Sequence, residues 1–149
     1  MNGILREEAG AYRRQPVFIR GSRHVPPNWV KVPDLMAEFV ARLQEGPKGE
    51  HPICFAAQAH VDLGAIHPFV DGNGRLCRML VNLLLMRSGY PPALYTQTNR
   101  AAYLRTLETA QVEGKPKTFI RITAEATEFM LDRYLLALSQ IRDAKANTD

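Results

Sequence analysis

The sequence predicts an all-α fold, a helical core with one small β-hairpin beside it. Two observations carry the prediction. Apolar residues recur at helical spacing in successive segments, each closed by glycine or proline. Only residues 14–27 combine β-branched and aromatic residues with a glycine turn and a proline stop, as strands do. At 149 residues the chain is long enough to bury most of its apolar surface, and residues 1–149 are expected to form a single domain.

Taken in order, residues 1–12 are a weakly helical lead-in. Val17, Phe18 and Ile19 form the first arm of the expected hairpin, Gly21-Ser22 its turn, and Pro26-Pro27 its end. Asp34–Glu45 places Met36, Phe39, Val40 and Leu43 on one helical face, and Gly46-Pro47 stops it. His51-Pro52 suits a helix start, and Ile53–Ile66 is apolar on most sides, as a core helix would be. A buried helix is expected from about Asn73, since only Asn82 is polar between Met79 and Met86. Tyr95-Thr96-Gln97-Thr98-Asn99 supplies capping residues for a helix reaching about Gln111. After Gly114-Lys115-Pro116, a long closing helix from Thr118 to about Arg142 carries Phe119, Ile122, Ala126, Phe129, Tyr134 and Leu138 near one stripe. Residues 143–149 read as a frayed tail. There is no internal repeat and no low-complexity segment.

Net charge is +4, and Arg6, Arg13, Arg14, Arg20, Arg23 and Lys31 concentrate it near the N-terminus. The bland reading is a solvated surface; the alternative is a face for an acidic partner. No aromatic interleaving supports nucleic-acid binding. No apolar stretch reaches the length of a membrane span. Acids at Glu7 and Glu8 and the lack of a secretory apolar region, with Cys54 and Cys77 expected as buried thiols, point to a reducing compartment, the cytoplasm. His24 and His51 read as surface residues. His60, seven before His67, reads as a core or second-layer histidine. A transition-metal site on this segment would lack a fourth protein ligand.

The chemistry concentrates in His67-Pro68-Phe69-Val70-Asp71-Gly72-Asn73-Gly74-Arg75-Leu76-Cys77-Arg78. A helix N-terminus presents unpaired N–H groups, and Gly72 and Gly74 let an anion approach them. Arg75 and Arg78, three apart, share a face with each other and with Asn82, and their forks suit phosphate oxygens. Asp71 is a hard ligand for Mg²⁺, which commonly binds through one or two carboxylates plus substrate phosphates. His67 has the pKa range of a general base, although its place at a helix C-terminus favours the charged form. The stretch reads as a cradle for a magnesium nucleotide with a proton acceptor at its rim.

These twelve residues resemble the Fic-domain signature, His-x-Phe-x-Asp/Glu-Gly-Asn-Gly-Arg-x-x-Arg, at every fixed position. The similarity spreads from about Arg13 to about Leu136. It is strongest toward bacterial members and the endoplasmic-reticulum member that modifies an Hsp70-type chaperone. The Doc branch, which transfers phosphate, has lysine where this chain has Gly74.

The resemblance implies a Fic fold and transfer of AMP from ATP to a Ser, Thr or Tyr hydroxyl of a target protein. By that likeness His67 is the base and Asp71 holds Mg²⁺. The Gly72, Asn73 and Gly74 backbone with the Asn73 side chain forms the anion hole, Arg75 steadies the phosphates and transition-state charge, and Arg78 holds the γ-phosphate. Tyr103 lies in the helix that walls the adenine pocket in relatives, or is a core aromatic. Gln111 stands where several relatives have an adenosine-contacting asparagine. Val17, Phe18 and Ile19 match the flap whose edge pairs with the target.

Many members are inhibited through Ser/Thr-x-x-x-Glu-Gly/Asn, which Thr109–Gly114 fits in letters. Its place at the end of the adenine-side helix marks Glu113 as a helix stop. Inhibition is then expected from a separate protein or a helix outside this sequence. The alternatives are hydrolytic removal of AMP, or a non-enzymatic helical module with a basic face.

Overall fold

The computed structural model describes residues 10–96, 98 and 100–146. The expectations for residues 1–9, for Gln97 and Asn99 as caps, and for residues 147–149 lie outside the described residues. One 3-10 turn, Trp29–Lys31, precedes helices α1 (Val32–Glu45), α2 (Pro52–Ile66), α3 (Asn73–Arg87), α4 (Arg100–Glu113) and α5 (Lys117–Ala146). No described helix is long and apolar enough to cross a membrane.

Helix α2 is the axis, packed against α1, α3, α4 and α5. Its composition allows this. Ala56, Ala57 and Ala59 are fully buried, and their small side chains let neighbours approach on several sides at once. Val32, Met36 and Phe39 of α1 meet Ala59, Leu63 and Ile66 on one flank. Tyr103, Ala110 and Phe119 of α4 and α5 meet Ala57 and Val61 on another. Phe119 is fully buried, and burial of such a side chain contributes about 1.5–3 kcal/mol. Helix α2 starts at Pro52 because His51 caps it, its Nδ1 accepting the Ile53 N–H at 3.3 Å. Tyr90 Oη lies 3.3 Å from the other ring nitrogen of His51, so this exposed histidine has a structural partner.

Several expectations need correction. No strand forms in residues 14–27 among the described residues. The turn exists, with Ser22 N–H donating to Ile19 C=O at 3.1 Å and Gly21 at φ 77. The arms do not ladder, because other groups hold them. Arg23 bonds Glu108 of α4, His24 bonds the Ala65 carbonyl, and the Arg13 guanidinium takes the Pro27 carbonyl. Pro16, Pro26 and Pro27 also lack the N–H groups that a ladder needs.

Helix α3 is buried on one face only. Val81 and Leu85 are fully buried, while Met79, Leu83 and Met86 are 69%, 50% and 55% exposed. In α5 the buried positions are Phe119, Thr123 and Thr127, and Phe129, Tyr134 and Leu138 are exposed. The buried hydroxyls escaped an apolar search; they are satisfied by carbonyls one turn back, Thr123 on Phe119 and Thr127 on Thr123. Residues 143–146 continue α5 rather than fray, as Ala-Lys-Ala favours helix. Cys77 is buried and Cys54 only half-buried, and both are free.

Candidate active site

Helix α2 ends at His67, which adopts φ 51, ψ 59 while its N–H still bonds Leu63 C=O at 3.0 Å. That left-handed residue reverses the chain and turns the imidazole back onto its own helix. Nδ1 lies 3.3 Å from Gly64 C=O. A carbonyl only accepts, so Nδ1 carries the proton and Nε2 is left bare in the neutral ring. Burial lowers the His67 pKa; the Gly64 carbonyl opposes this, and the charges of Arg13 and His24 add to it. The expected bias toward imidazolium is therefore overturned by desolvation.

Arg13 was not legible as a site residue. It is 3% exposed, not part of a basic surface. Its Nε donates to His67 C=O at 2.8 Å and its Nη2 to Pro27 C=O at 2.6 Å, while its own N–H donates to Pro68 C=O at 2.9 Å. One guanidinium thus joins both ends of the 14–27 loop to the C-terminal carbonyls of α2, where a cation is favoured.

The turn from Pro68 to Gly72 is held by Asn73. Its Oδ1 accepts the Phe69 N–H at 3.0 Å and its Nδ2 donates to Phe69 C=O at 2.7 Å. The side chain expected in the anion hole instead braces the loop, and Asn73 is buried. Gly72 has φ 86, a conformation glycine adopts without strain, and no side chain caps α3. The first N–H groups of α3 remain without intrahelical partners and available to an anion. Asn82, expected on the arginine face, accepts the Ala93 N–H and secures the loop after α3.

A cleft of about 290 Å³ opens between the ends of α2 and α3, helix α4 and the Ile19–Ser22 turn. It brings together His67, Asn73, Gly74, Arg78, Tyr103 and Gln111. Asp71, Gly72 and Arg75 stand outside its lining, as do Val17 and Phe18 of the loop. Asp71 and Arg75 are exposed and paired at 3.2 Å, with Gly72 N–H donating to the other Asp71 oxygen at 2.6 Å. Such an exposed pair is worth about 0–1 kcal/mol and yields easily to a charged ligand. Arg78 is half-buried and pairs with no carboxylate among the described residues.

Tyr103 lines the cleft and also packs as a core aromatic. It is 8% exposed, its hydroxyl lies 2.8 Å from His60 Nε2, and its ring sits against Tyr95 and Phe119. The apolar wall of the cleft comes from Leu104 and Leu107, which sequence reasoning missed for want of a polar signal. Gln111 does reach the cleft, its Nε2 donating to Val61 C=O at 3.4 Å.

His60 is 1% exposed, and burial, aided by the Arg78 charge, pushes its pKa down to about 3. Its Nε2 is taken by Tyr103, and no three His, Cys, Asp or Glu among the described residues are grouped to hold a metal. The unfolded chain protonates His60 near its ordinary value, so it binds more protons than the fold in the window between. Stability is then full above about pH 6.5 and lost as pH falls toward 3, by roughly 3 kcal/mol at pH 4.5. Urea unfolding at pH 7 and pH 4.5 measures this, and His60→Gln should flatten the difference. An unchanged pH difference in the variant would rule out His60 as its source.

The Fic/DOC family description matches residues 1–85. Protein adenylyltransferase Fic of Drosophila virilis is 44% identical over 135 residues, which is 90% of this chain and 27% of that protein. The solved structure of Fic-1 from C. elegans is 35% identical with a TM-score of 0.80, over 90% of this chain and 39% of that one. A Fic family protein from Desulfovibrio desulfuricans G20 is 25% identical with a TM-score of 0.74, over 92% and 44%. This chain spans about a quarter of the length of the curated relatives it matches.

Proposed function

The chain belongs to the Fic/DOC family, and from that premise we propose that it transfers AMP from ATP to a hydroxyl side chain of a target protein. The observation that carries this reading is the juxtaposition of His67, its Nδ1 tied to Gly64, with the uncapped N-terminus of α3 across one cleft. His67 Nε2 takes the proton of the incoming hydroxyl. The hydroxyl oxygen bonds to the α-phosphorus as the bond from that phosphorus to the bridging oxygen breaks, and pyrophosphate leaves. N–H groups of Gly74 and its neighbours, with Arg75, hold the charge that develops on the α-phosphate oxygens. Arg78, unclaimed by any carboxylate, takes the γ-phosphate and so turns the α-phosphorus toward His67.

Asp71 suits Mg²⁺. It is a hard carboxylate outside the cleft lining, and each of its oxygens keeps a lone pair beyond the bonds to Gly72 and Arg75. Bound there with the phosphates, the ion would neutralise their charge. With one carboxylate available, the site depends on the nucleotide to complete it.

The 14–27 loop serves the target. Val17 and Phe18 make no backbone hydrogen bond among the described residues, Phe18 is 85% exposed, and Ile19 lines the cleft. An extended target segment pairing there would complete the ladder that the loop lacks and set its hydroxyl beside His67.

Removal of AMP is disfavoured by the place of Glu113. It pairs with Lys115 at 3.0 Å and approaches Arg23 at 4.0 Å, and no ion pair joins it to Arg78. Incubation with ATP labelled at the α-phosphate and Mg²⁺ distinguishes label on protein, release of free AMP, and neither. Label on protein is expected, on the chain itself when no target is present. Glu113→Ala should change that rate less than twofold, since exposed substitutions shift stability by less than about 0.5 kcal/mol. A tenfold gain would show that Glu113 is a built-in brake.

A further inference from the structure

We infer that Arg13 is a positioning residue for the transfer reaction: its one guanidinium holds the His67 ring and the edge of the 14–27 loop in a single register, so that a hydroxyl set on that edge arrives at Nε2. This rests on the transfer reading given above. Arg13 is buried, yet its side chain donates to backbone carbonyls, those of Gln15, Pro27, Ile66 and His67, and to no carboxylate among the described residues. A buried cation without a counter-charge is costly to keep, and an apolar side chain would fill the space at less cost. Stability alone does not account for it.

The choice of acceptors does. With its own N–H on Pro68 C=O, Arg13 grips three consecutive carbonyls, 66 to 68, which carry the chain out of α2 through His67. His67 needs such a grip. At φ 51 it stands in a region that side chains rarely adopt, and a residue persists there only when its surroundings over-determine it. Leu63 C=O fixes the N–H side of the residue, and Arg13 Nε, at 2.8 Å, fixes the carbonyl side. The ring direction follows, with Nδ1 on Gly64 C=O. The same guanidinium takes Gln15 C=O at 3.2 Å and Pro27 C=O at 2.6 Å, one at each end of the loop. Between those ends the loop buries little, with Phe18 and Val25 85% and 71% exposed. Its tip is held by His24 on Ala65 C=O and by the exposed Arg23–Glu108 pair, of a kind that is weak in water. Arg13 is the buried side chain common to the base and the edge.

Lysine keeps the charge but not the fork that spans these carbonyls, so Arg13→Lys is the test. Its AMP transfer from ATP labelled at the α-phosphate, onto the chain itself with Mg²⁺, should fall tenfold or more at saturating ATP. Calorimetric ATP affinity should stay within threefold of the parent, with thermal melting reporting the fold. A double-mutant cycle separates positioning from general loosening. In the His67→Ala background the same substitution should cost less than threefold, because no ring is left to register. An equal loss in both backgrounds, or a folded Arg13→Lys that transfers within threefold of the parent, would overturn the assignment. Arg23→Ala frees the tip of the loop and leaves its ends on Arg13, and should cost less than threefold. A tenfold loss there would place the register at Glu108 and overturn the assignment, even if the Arg13 variant failed to fold. A parent that transfers no AMP would bring down the transfer reading and this inference with it, whereas an active parent indifferent to Arg13→Lys would leave that reading standing.

Discussion

Replacing His67 with alanine should lower AMP transfer by about 10²–10⁴-fold, the usual worth of a general base, and leave ATP affinity nearly unchanged. The separation follows from where the ring is held. Its Nδ1 is spent on Gly64 C=O, so Nε2 is the only basic atom it offers, and in the proposed reaction that atom serves the incoming hydroxyl rather than the phosphates. The backbone of the same residue is independently anchored by Arg13 and Leu63, so the loop should survive loss of the ring. Alanine at φ 51 is strained by roughly 1–2 kcal/mol, much as histidine already is, so the melting temperature should move little. The parent rate should rise with pH through a pKa below the ordinary 6.5 and level off by pH 7, because burial holds the ring neutral. Transfer by the alanine variant within threefold of the parent, measured with saturating ATP, would remove His67 from the mechanism.

What could be read from the sequence differed by the kind of signal. Helices announced themselves through period and punctuation, and α2 was identifiable as a core helix because its alanines and aliphatics leave it apolar on most sides. The loop at 14–27 misled because β-branched and aromatic residues describe a preference for extended backbone, which the loop has, but not a pairing partner. Its arms are held instead by Arg13, Arg23 and His24, long-range contacts that no local pattern encodes.

The same distinction applies at the site. The glycine-bracketed turn and its histidine were legible because their spacing is local. Asn73 was placed in the right turn, yet its amide faces the Phe69 backbone, a matter of rotamer rather than sequence. Tyr103 and Leu104 are neighbours on α4 and both line the cleft, but the rotation of that helix against α2 packs the Tyr103 hydroxyl onto His60, which no local pattern encodes. Gly64 gave no signal at all, since its neighbour Gln111 is forty-seven positions away and set beside it only by folding.

Asp71→Ala should weaken magnesium-dependent ATP binding and transfer together, in contrast to the His67 variant. The carboxylate stands outside the cleft lining, with Arg75 as its partner at 3.2 Å. Removing it has two opposed consequences. Arg75 is freed toward the phosphates, which favours ATP alone, while the hard oxygen proposed to hold Mg²⁺ is lost. ATP titrations with Mg²⁺ and with a chelator separate the two. The parent should gain at least tenfold in affinity from the metal, and the variant should lose most of that gain while binding metal-free ATP at least as well as the parent. Asp71→Asn keeps the shape and the hydrogen bond from Gly72 but lacks the charge, and should behave like the alanine variant. A variant that retains the full metal-dependent gain would show that Asp71 is not the ligand. A variant that loses metal-free binding instead would assign its carboxylate to holding the Gly72 turn, where it accepts the backbone N–H at 2.6 Å.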